Sequence, residues 1–241
     1  MTFTYTDMLE KLNIGSAHPG GLQTTKKAWQ KMHAFPHDVI LDAGCGTGRT
    51  LAYLAEKNLS RLIGIDHNKN MIQRARDRLN EYPEVELFSA DLTKLPLENE
   101  TIDGIFSESV TSFIPVKAGL KEYHRILREE GILCLIEITA VKPLSSQEKD
   151  KINQFYGTKS VLTKSEWHQA IEEANFSIID STPLPATTSD EIEIDMNTEI
   201  DPIYFEFLSH HYHLIEKIQN QLIGYFYFCQ KRATEVKTDD D

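Results

Sequence analysis

Apolar positions along the chain alternate between two rhythms. Short apolar runs at Val39–Leu41, Arg61–Ile65, Val85–Phe88, Ile102–Phe106, Ile132–Ile138, Ser177–Asp180 and Ile223–Cys229 predict strands. Between them the spacing turns helical. Helices are predicted over 5–12, 22–33, 69–80, 117–128 and 164–175, with a further amphipathic segment carrying Leu51, Leu54 and Ala55. Met71, Ile72, Ala75 and Leu79 form one stripe, and Leu120, Tyr123 and Leu127 another. Gly131 is expected to break the helix over 117–128, and Thr163 or Ser165 to cap that over 164–175. Ile132–Ile138 is apolar except for Glu137, as suits a strand covered on both faces.

Strands alternating with helices indicate an α/β fold built on a mostly parallel sheet. A single domain over 1–241 is expected, with a helical cap over 1–36 and a central alternating segment over 37–182. Residues 184–221 interrupt the alternation with an acidic loop and a helix around 203–220, either a lid or a surface excursion. A last strand over 222–232 and an acidic tail over 233–241 complete the chain.

Composition narrows the function classes. The chain is 40% hydrophobic and 26% charged, a globular balance that excludes wholesale disorder. Its net charge is −12, from 25 Lys+Arg against 37 Asp+Glu. Much of that sits in Asp190, Glu191, Glu193, Asp195, Glu199 and Asp201 and in the tail, most simply as solvated surface. With no basic face, a nucleic-acid partner is not expected. No apolar run is long enough to span a membrane, and the N-terminus does not read as a secretory signal. Cys45, Cys134 and Cys229 are odd in number and lack CxxC spacing, which suggests neither disulfides nor zinc, and the cytoplasm is the expected compartment.

The chemistry concentrates in residues 39–50, VILDAGCGTGRT. A strand runs into glycines 44, 46 and 48 and then a helix, so each glycine allows backbone to approach a ligand that a Cβ would exclude. The helix N-terminus adds unpaired N–H groups suited to a carboxylate or phosphate. Dinucleotide sites use a similar turn, so a nicotinamide-dependent oxidoreductase is one reading. Asp42 speaks against it, because a carboxylate there suits a cationic ammonium group rather than a pyrophosphate. Asp66 ends the next strand, well placed to accept both hydroxyls of a ribose.

Asp42-Ala43-Gly44-Cys45-Gly46-Thr47-Gly48 resembles the glycine-rich motif of the class I S-adenosylmethionine (SAM)-dependent methyltransferases. Ile65-Asp66 resembles that family's acidic ribose-binding position, and Ser89-Ala90-Asp91 with Leu95-Pro96 its adenine-binding turn. Thr101 to Phe106 resembles its fourth strand, with Ile102 where Phe is common. The resemblance covers about residues 37–182 and is nearest to small-molecule methyltransferases. It implies a Rossmann-like seven-stranded sheet whose last strand is antiparallel, with SAM as cofactor and S-adenosylhomocysteine as product. Gly44, Cys45, Gly46 and Gly48 would underlie the methionine part, and Asp42 would lie near its ammonium group. Asp66 would hold the ribose, His67 would lie against the adenine, and Asp91 would accept from the adenine amino group within the turn from Ala90 to Leu92. Ser107 would face the methyl-transfer centre.

Methyl transfer from a sulfonium is an in-line displacement in which the protein chiefly aligns the reactants and excludes water. A base is needed only where the acceptor must lose a proton early. His18, in Ser16-Ala17-His18-Pro19-Gly20-Gly21, either deprotonates or orients the acceptor, or merely anchors a turn. Glu108, at the carboxyl end of strand four, either receives a proton or holds a cationic acceptor, or else caps a helix or pairs with a surface lysine. Glu137 and Thr139 border the same crevice, where sheet-edge hydrogen bonding is the simpler role. Tyr5 either swings over the site or, more simply, serves as an N-terminal core aromatic. His210, His211 and His213 fall short of three convergent ligands, so no metal is expected. Arg74, Arg76 and Arg78 read as a solvated face paired with Asp77 and Glu81. The expected function is methyl transfer from SAM to a small-molecule acceptor by a monomer or homodimer. A SAM-binding sensor or subunit and a protein methyltransferase are the alternatives.

Overall fold

The computed structural model describes residues 4–12, 14–57, 59–184, 201–218 and 220–233. The acidic stretch 190–200 and the tail 234–241 lie outside the described residues. Seven strands form one sheet, β1 (Val39–Ala43), β2 (Arg61–Asp66), β3 (Glu86–Ser89), β4 (Ile102–Glu108), β5 (Leu127–Ala140), β6 (Phe176–Pro183) and β7 (Leu222–Lys231), in the order β3-β2-β1-β4-β5-β7-β6. β1 to β5 run parallel, and β7 inserts antiparallel between β5 and β6. The strand order reverses between β1 and β4, the place in an open α/β sheet where the carboxyl ends leave a crevice.

The helices are α1 (Tyr5–Lys11), α2 (Gly21–Met32), α3 (Arg49–Ala55), α4 (Lys69–Arg78), α5 (Val116–Ile126), α6 (Ser146–Tyr156), α7 (Lys164–Glu173) and α8 (Pro202–Ile218). Two apolar layers sandwich the sheet. One gathers Leu41, Ile63, Ile105, Leu133 and Tyr227 with Leu120 and Tyr123 of α5 and Trp167 and Ile171 of α7. The other gathers Ile40, Leu62, Phe106, Cys134 and Phe228 with Trp29 and Met32 of α2, Leu51 and Leu54 of α3 and Ile72 of α4. Successive residues of one strand thus enter opposite layers, as the pleat requires. Each large side chain moved fully out of water contributes about 1.5–3 kcal/mol.

Two elements differ from expectation. Gly131 does not end α5, because Leu127 already pairs with Ile102 as the first residue of β5. Residues 128–131 then bulge out before regular pairing resumes at Ile132 opposite Gly104, with Glu130 at φ 60°. A Cβ on Gly131 would lie 2.9 Å from the Arg128 carbonyl oxygen, so the glycine serves the bulge rather than a helix end. The second is α6, which buries only Ile152 and so shows no apolar stripe. Its start is marked instead by a capping box between Ser145 and Glu148. Thr163, rather than Ser165, caps α7, with Glu166 closing the box.

Asp103 holds β1 in place from the neighbouring strand. Its Oδ2 accepts from Val39 N at 2.8 Å and its Oδ1 from Arg128 Nη1 at 2.5 Å, with the carboxylate buried. Replacing it strands the Val39 N–H, which costs about 1–3 kcal/mol for a buried donor. Asp103→Ala is therefore expected to lower the melting temperature by several degrees, at about 2–4 °C per kcal/mol for a chain of this size. Thermal unfolding followed by circular dichroism checks it; an unchanged midpoint contradicts the assignment.

Candidate active site

The turn leaving β1 is fixed by its own backbone. Gly44 N and Cys45 N both donate to the Ile65 carbonyl at the end of β2, at 2.7 and 3.0 Å. Gly46 N donates to Asp66 Oδ2 at 3.0 Å, and Asn68 N donates to Asp66 Oδ1 at 2.8 Å. The Asp66 carboxylate is thereby clamped between the glycine turn and the start of α4, with a lone pair on each oxygen still available.

The three glycines do different work. All have positive φ, at 79°, 51° and 78° for Gly44, Gly46 and Gly48. A Cβ on Gly44 would lie 2.4 Å from Val110 Cγ2, and one on Gly48 would lie 3.0 Å from Ala75 Cβ. Packing inside the protein therefore demands those two. Only at Gly46, of the three, would a Cβ meet open space, so there alone does the turn present bare backbone outward. The Cys45 side chain points inward, 3.1 Å from where a Gly64 Cβ would stand, and burial followed by Asp42 and Asp66 pushes its thiol pKa well up.

Carboxylates gather around this turn. Asp42 is buried, and its Oδ2 has no hydrogen-bond partner among the described residues. Burial first, then the charges of Glu108 and Asp66, raise its pKa well above the ordinary aspartate value. Glu108 at the end of β4 is equally buried, which opposes its charge. His18 beside it and the hydroxyls of Thr50 and Thr25 outweigh that and hold its pKa below the usual glutamate value. Thr25 Oγ1 donates to Glu108 Oε1 and Thr50 Oγ1 to Oε2, each at 2.7 Å, while His18 Nε2 stands 3.2 Å from Oε2. Glu108 thus neither caps a helix nor pairs with a surface lysine. Four chain segments meet on it: the 14–20 loop, α2, α3 and β4.

The other expected site residues divide between open and closed positions. Ser107 is fully buried, with its Oγ 2.7 Å from Thr111 Oγ1 and 3.4 Å from Tyr123 OH, a closed group of hydroxyls that turns it away from the cleft. Leu92 likewise points into the core beside Leu95. His67 is exposed, with Nδ1 3.5 Å from Asp66 Oδ1. Asp91 is exposed too, and the Thr93 N–H and hydroxyl, each 2.8 Å from its Oδ1, keep its pKa low. Ala90 N extends the β2–β3 ladder by donating to the Asp66 carbonyl at 3.1 Å.

Beyond β4, Glu137 accepts from Thr111 N at 2.8 Å and Ser112 Oγ at 2.5 Å, fixing the short 3-10 turn Thr111–Phe113 next to Val110, the residue packed on Gly44. Thr139 Oγ1 lies 3.0 Å from Tyr227 OH. Both side chains are satisfied within the protein.

Tyr5 of α1, Phe155 and Tyr156 of α6, and Phe207 and His211 of α8 form one aromatic group. Phe155 stacks on both Phe207 and His211, at 5.0 and 6.4 Å. Burial lowers the His211 pKa to about 4, so this histidine is a neutral packing ring. Arg78 also braces the turn from α4, its Nε donating to the Thr47 carbonyl at 3.0 Å.

Thr25, Thr50 and Val110 are not singled out by the sequence pattern, and Arg78 reads there only as part of a solvated face. Thr25 carried a signal, since it stands as a polar residue on the inner stripe with Ala28, Trp29 and Met32. Val110 and Arg78 carried none.

Comparison with known proteins agrees with this geometry. Residues 41–135 match the methyltransferase domain family model. The chain is 35% identical over 228 residues to the uncharacterized methyltransferase YodH of Bacillus subtilis (strain 168), covering 93% of this chain and 97% of that one. The chain belongs to the class I SAM-dependent methyltransferases. Among solved structures of this fold, phosphoethanolamine N-methyltransferase 2 of Haemonchus contortus in complex with SAM superposes with a TM-score of 0.74 at 17% identity, over 95% of this chain and 57% of that chain. The [4+2]-cyclase SpnF superposes with a TM-score of 0.70 at 17% identity, over 96% and 97%. At such identities the likeness is one of methyltransferase fold alone. No described helix is long and apolar enough to cross a membrane.

Burial raises the Glu137 pKa from 4.5 to about 7. The folded protein therefore binds this proton more tightly than the unfolded chain, and the contribution is full below pH 4.5 and lost as pH rises towards 7. Glu137→Gln removes that dependence. Relative to the variant, the wild type is expected to lose stability between pH 4.5 and 7, by up to about 3 kcal/mol at 1.36 kcal/mol per pKa unit. Urea unfolding at both pH values checks it, and parallel pH profiles contradict it.

Proposed function

We propose that this chain binds SAM across the glycine turn and transfers its methyl group to a small-molecule acceptor. The observation that carries the reading is the buried group of Asp42, Asp66 and Glu108, in which Asp42 retains an unpartnered oxygen. Like charges collected in a low-dielectric cleft favour a cationic ligand, and SAM carries both an ammonium and a sulfonium group. Bare backbone at Gly46 beside the clamped Asp66 carboxylate fits the ribose and methionine parts of such a ligand. Exposed His67 and Asp91 fit its adenine, with Ala90 and Leu92 framing the turn.

Asp42 would meet the ammonium, Asp66 the ribose hydroxyls and Asp91 the adenine amino group. Gly44, Cys45 and Gly48 would shape the turn from within. Bound SAM supplies an electrophilic methyl on sulfur. The protein's part is to align the acceptor with it, to exclude water, and, where the acceptor bears a proton, to take that proton at His18. Glu108 orients His18. Ser107 acts through packing, since its hydroxyl is closed off. Residues 1–36 would serve as a cap and 184–221 as a lid, joined through the aromatic group of α1, α6 and α8. The net charge of −12 argues against nucleic acid as acceptor.

Calorimetric titration with S-adenosylhomocysteine, with NAD as control, tests the cofactor. Micromolar binding of the first and none of the second is expected, and Gly44→Val, which drives a larger side chain into Val110, abolishes it. Silence from S-adenosylhomocysteine, or binding of NAD, overturns the reading. The ammonium should also draw the proton from Asp42, whose pKa stands raised in the free protein. The binding enthalpy is therefore expected to differ between phosphate and Tris buffers in proportion to their ionisation enthalpies, and Asp42→Asn to remove the difference. His18→Ala should leave S-adenosylhomocysteine binding intact and reduce turnover of an acceptor found by screening with labelled SAM. A sensor or subunit without transferase activity would show the binding and no turnover in either protein.

A further inference from the structure

Glu108 and His18 do not stand alone in their cleft, and the hydrogen count around them is closed. Thr25 and Thr50 each have one hydroxyl hydrogen. At 2.7 Å from opposite oxygens of Glu108, which as a carboxylate can only accept, both hydrogens are committed there. His18 Nε2 lies 3.2 Å from Glu108 Oε2 and 3.4 Å from Thr25 Oγ1. Neither neighbour has a hydrogen left to give, so the hydrogen between them belongs to His18 Nε2. The opposite tautomer would turn a ring lone pair towards a carboxylate. It would also leave an Nδ1–H buried with no acceptor, since Nδ1 has no partner among the described residues.

We infer that Thr25 and Thr50 are positioning residues, whose paired hydroxyls lock the Glu108 carboxylate onto His18 Nε2 and so reserve His18 Nδ1 as the nitrogen that takes the acceptor's proton. The role of Nδ1 rests on the proposed function; the tautomer and the clamp rest on the hydrogen bonds alone. In the step itself, the acceptor's bond to hydrogen breaks as its bond to the methyl carbon forms. The proton passes to Nδ1, and the sulfur leaves with the electron pair of its old bond to carbon.

The backbone supports the same arrangement. Thr25 is fully buried on α2, and Thr50 is buried in the first turn of α3, directly after the glycine turn. Ser16 has φ 57°, the His18 carbonyl accepts from Gly21 N at 3.0 Å, and a Cβ on Gly224 would lie 2.3 Å from Pro19 Cβ. The loop is thus held at both flanks of His18, with Nε2 of the ring facing the clamp. Glu108 also feels Asp42, so the clamp decides which of two neighbouring carboxylates carries the charge. His18 and the two hydroxyl donors favour the charge on Glu108, where it orients the histidine.

Nuclear magnetic resonance on the full chain reads this without an acceptor. Imidazole nitrogen correlations, with His18 assigned by its loss in His18→Gln, are expected to show Nε2 protonated and Nδ1 bare for the neutral ring. The carboxyl carbon of Glu108 is expected to titrate at least one pH unit higher in the Thr25→Val, Thr50→Val double variant, with the second His18 tautomer becoming populated. Thr25→Ser with Thr50→Ser should restore both signals, because serine keeps the hydroxyl. A wild-type ring protonated on Nδ1, or an unmoved Glu108 midpoint in the double valine variant, overturns the inference. Should the valine pair fail to fold, the single Thr50→Val variant decides on the same two signals. Calorimetry with S-adenosylhomocysteine on the wild-type sample keeps the matter of the cofactor separate: absence of binding there would refute the cofactor reading and leave the tautomer result standing.

Discussion

Two successive N–H groups, those of Gly44 and Cys45, converge on the single carbonyl of Ile65, and the rest of the site is arranged around that convergence. It forces the chain leaving β1 to curl over the end of β2 rather than continue the sheet. The positive φ of Gly44 makes the curl possible, and Val110 fills the space that a side chain there would need. Once the turn lies over β2, Gly46 N reaches Asp66, and Asp66 in turn reaches the N-terminus of α4. Arg78 of α4 returns to Thr47. Strand, turn and two helices thus lock one another, and the cleft they border is held before any ligand arrives, which lowers the entropic cost of binding.

Electrostatics works against the fold at the same place. Three carboxylates within reach of one another cannot all stay ionised in a buried cleft without counter-charge. The structure divides the burden. Asp66 is satisfied by backbone N–H groups, Glu108 by two hydroxyls and a histidine, and Asp42 carries the raised pKa. The strain is local and chemically specific, relieved most directly by a cation. Asp42, buried beside two other carboxylates and with one oxygen lacking a partner among the described residues, is the perturbed group of a candidate site.

The sequence showed the fold well because the sheet is buried on both faces. Ile132–Ile138 or Arg61–Ile65 can be read as strands from continuous apolarity, and the glycine turn from spacing alone. Elements with little buried surface escaped, as α6 did with only Ile152 inside. The bulge over 128–131 escaped because Gly131 looks the same in a helix end as in a strand irregularity. Within the site, the residues of the turn were legible and their reasons less so. Gly44 and Gly48 answer to Val110 and Ala75, contacts across long sequence separations that no local pattern encodes. Ser107 and Glu108 stand at neighbouring heights on the sheet but on opposite sides of the pleat. Strand four alternates faces, so Glu108 reaches Thr25, Thr50 and His18 while Ser107 turns to Thr111 and Tyr123.

The N-terminal segment attaches to the sheet through carboxylates as well as through apolar contacts. Glu10 of α1 is buried and accepts from Asn68 Nδ2 at 2.7 Å and Asn70 Nδ2 at 3.0 Å. Asn68 is the residue whose backbone N–H holds Asp66. At the other end of the segment, His18 and Thr25 bind Glu108. The segment is therefore tied by one carboxylate of its own and by one belonging to the sheet, and each tie runs to a neighbour of the glycine turn. Apolar contacts of Met8, Leu12 and Ile14 with Tyr204, Phe207 and Leu208 then attach α8 to the same segment. Asp66 and Glu108, which flank the glycine turn, thus stand beside both ties, so a change of charge at either carboxylate is felt where the N-terminal segment attaches.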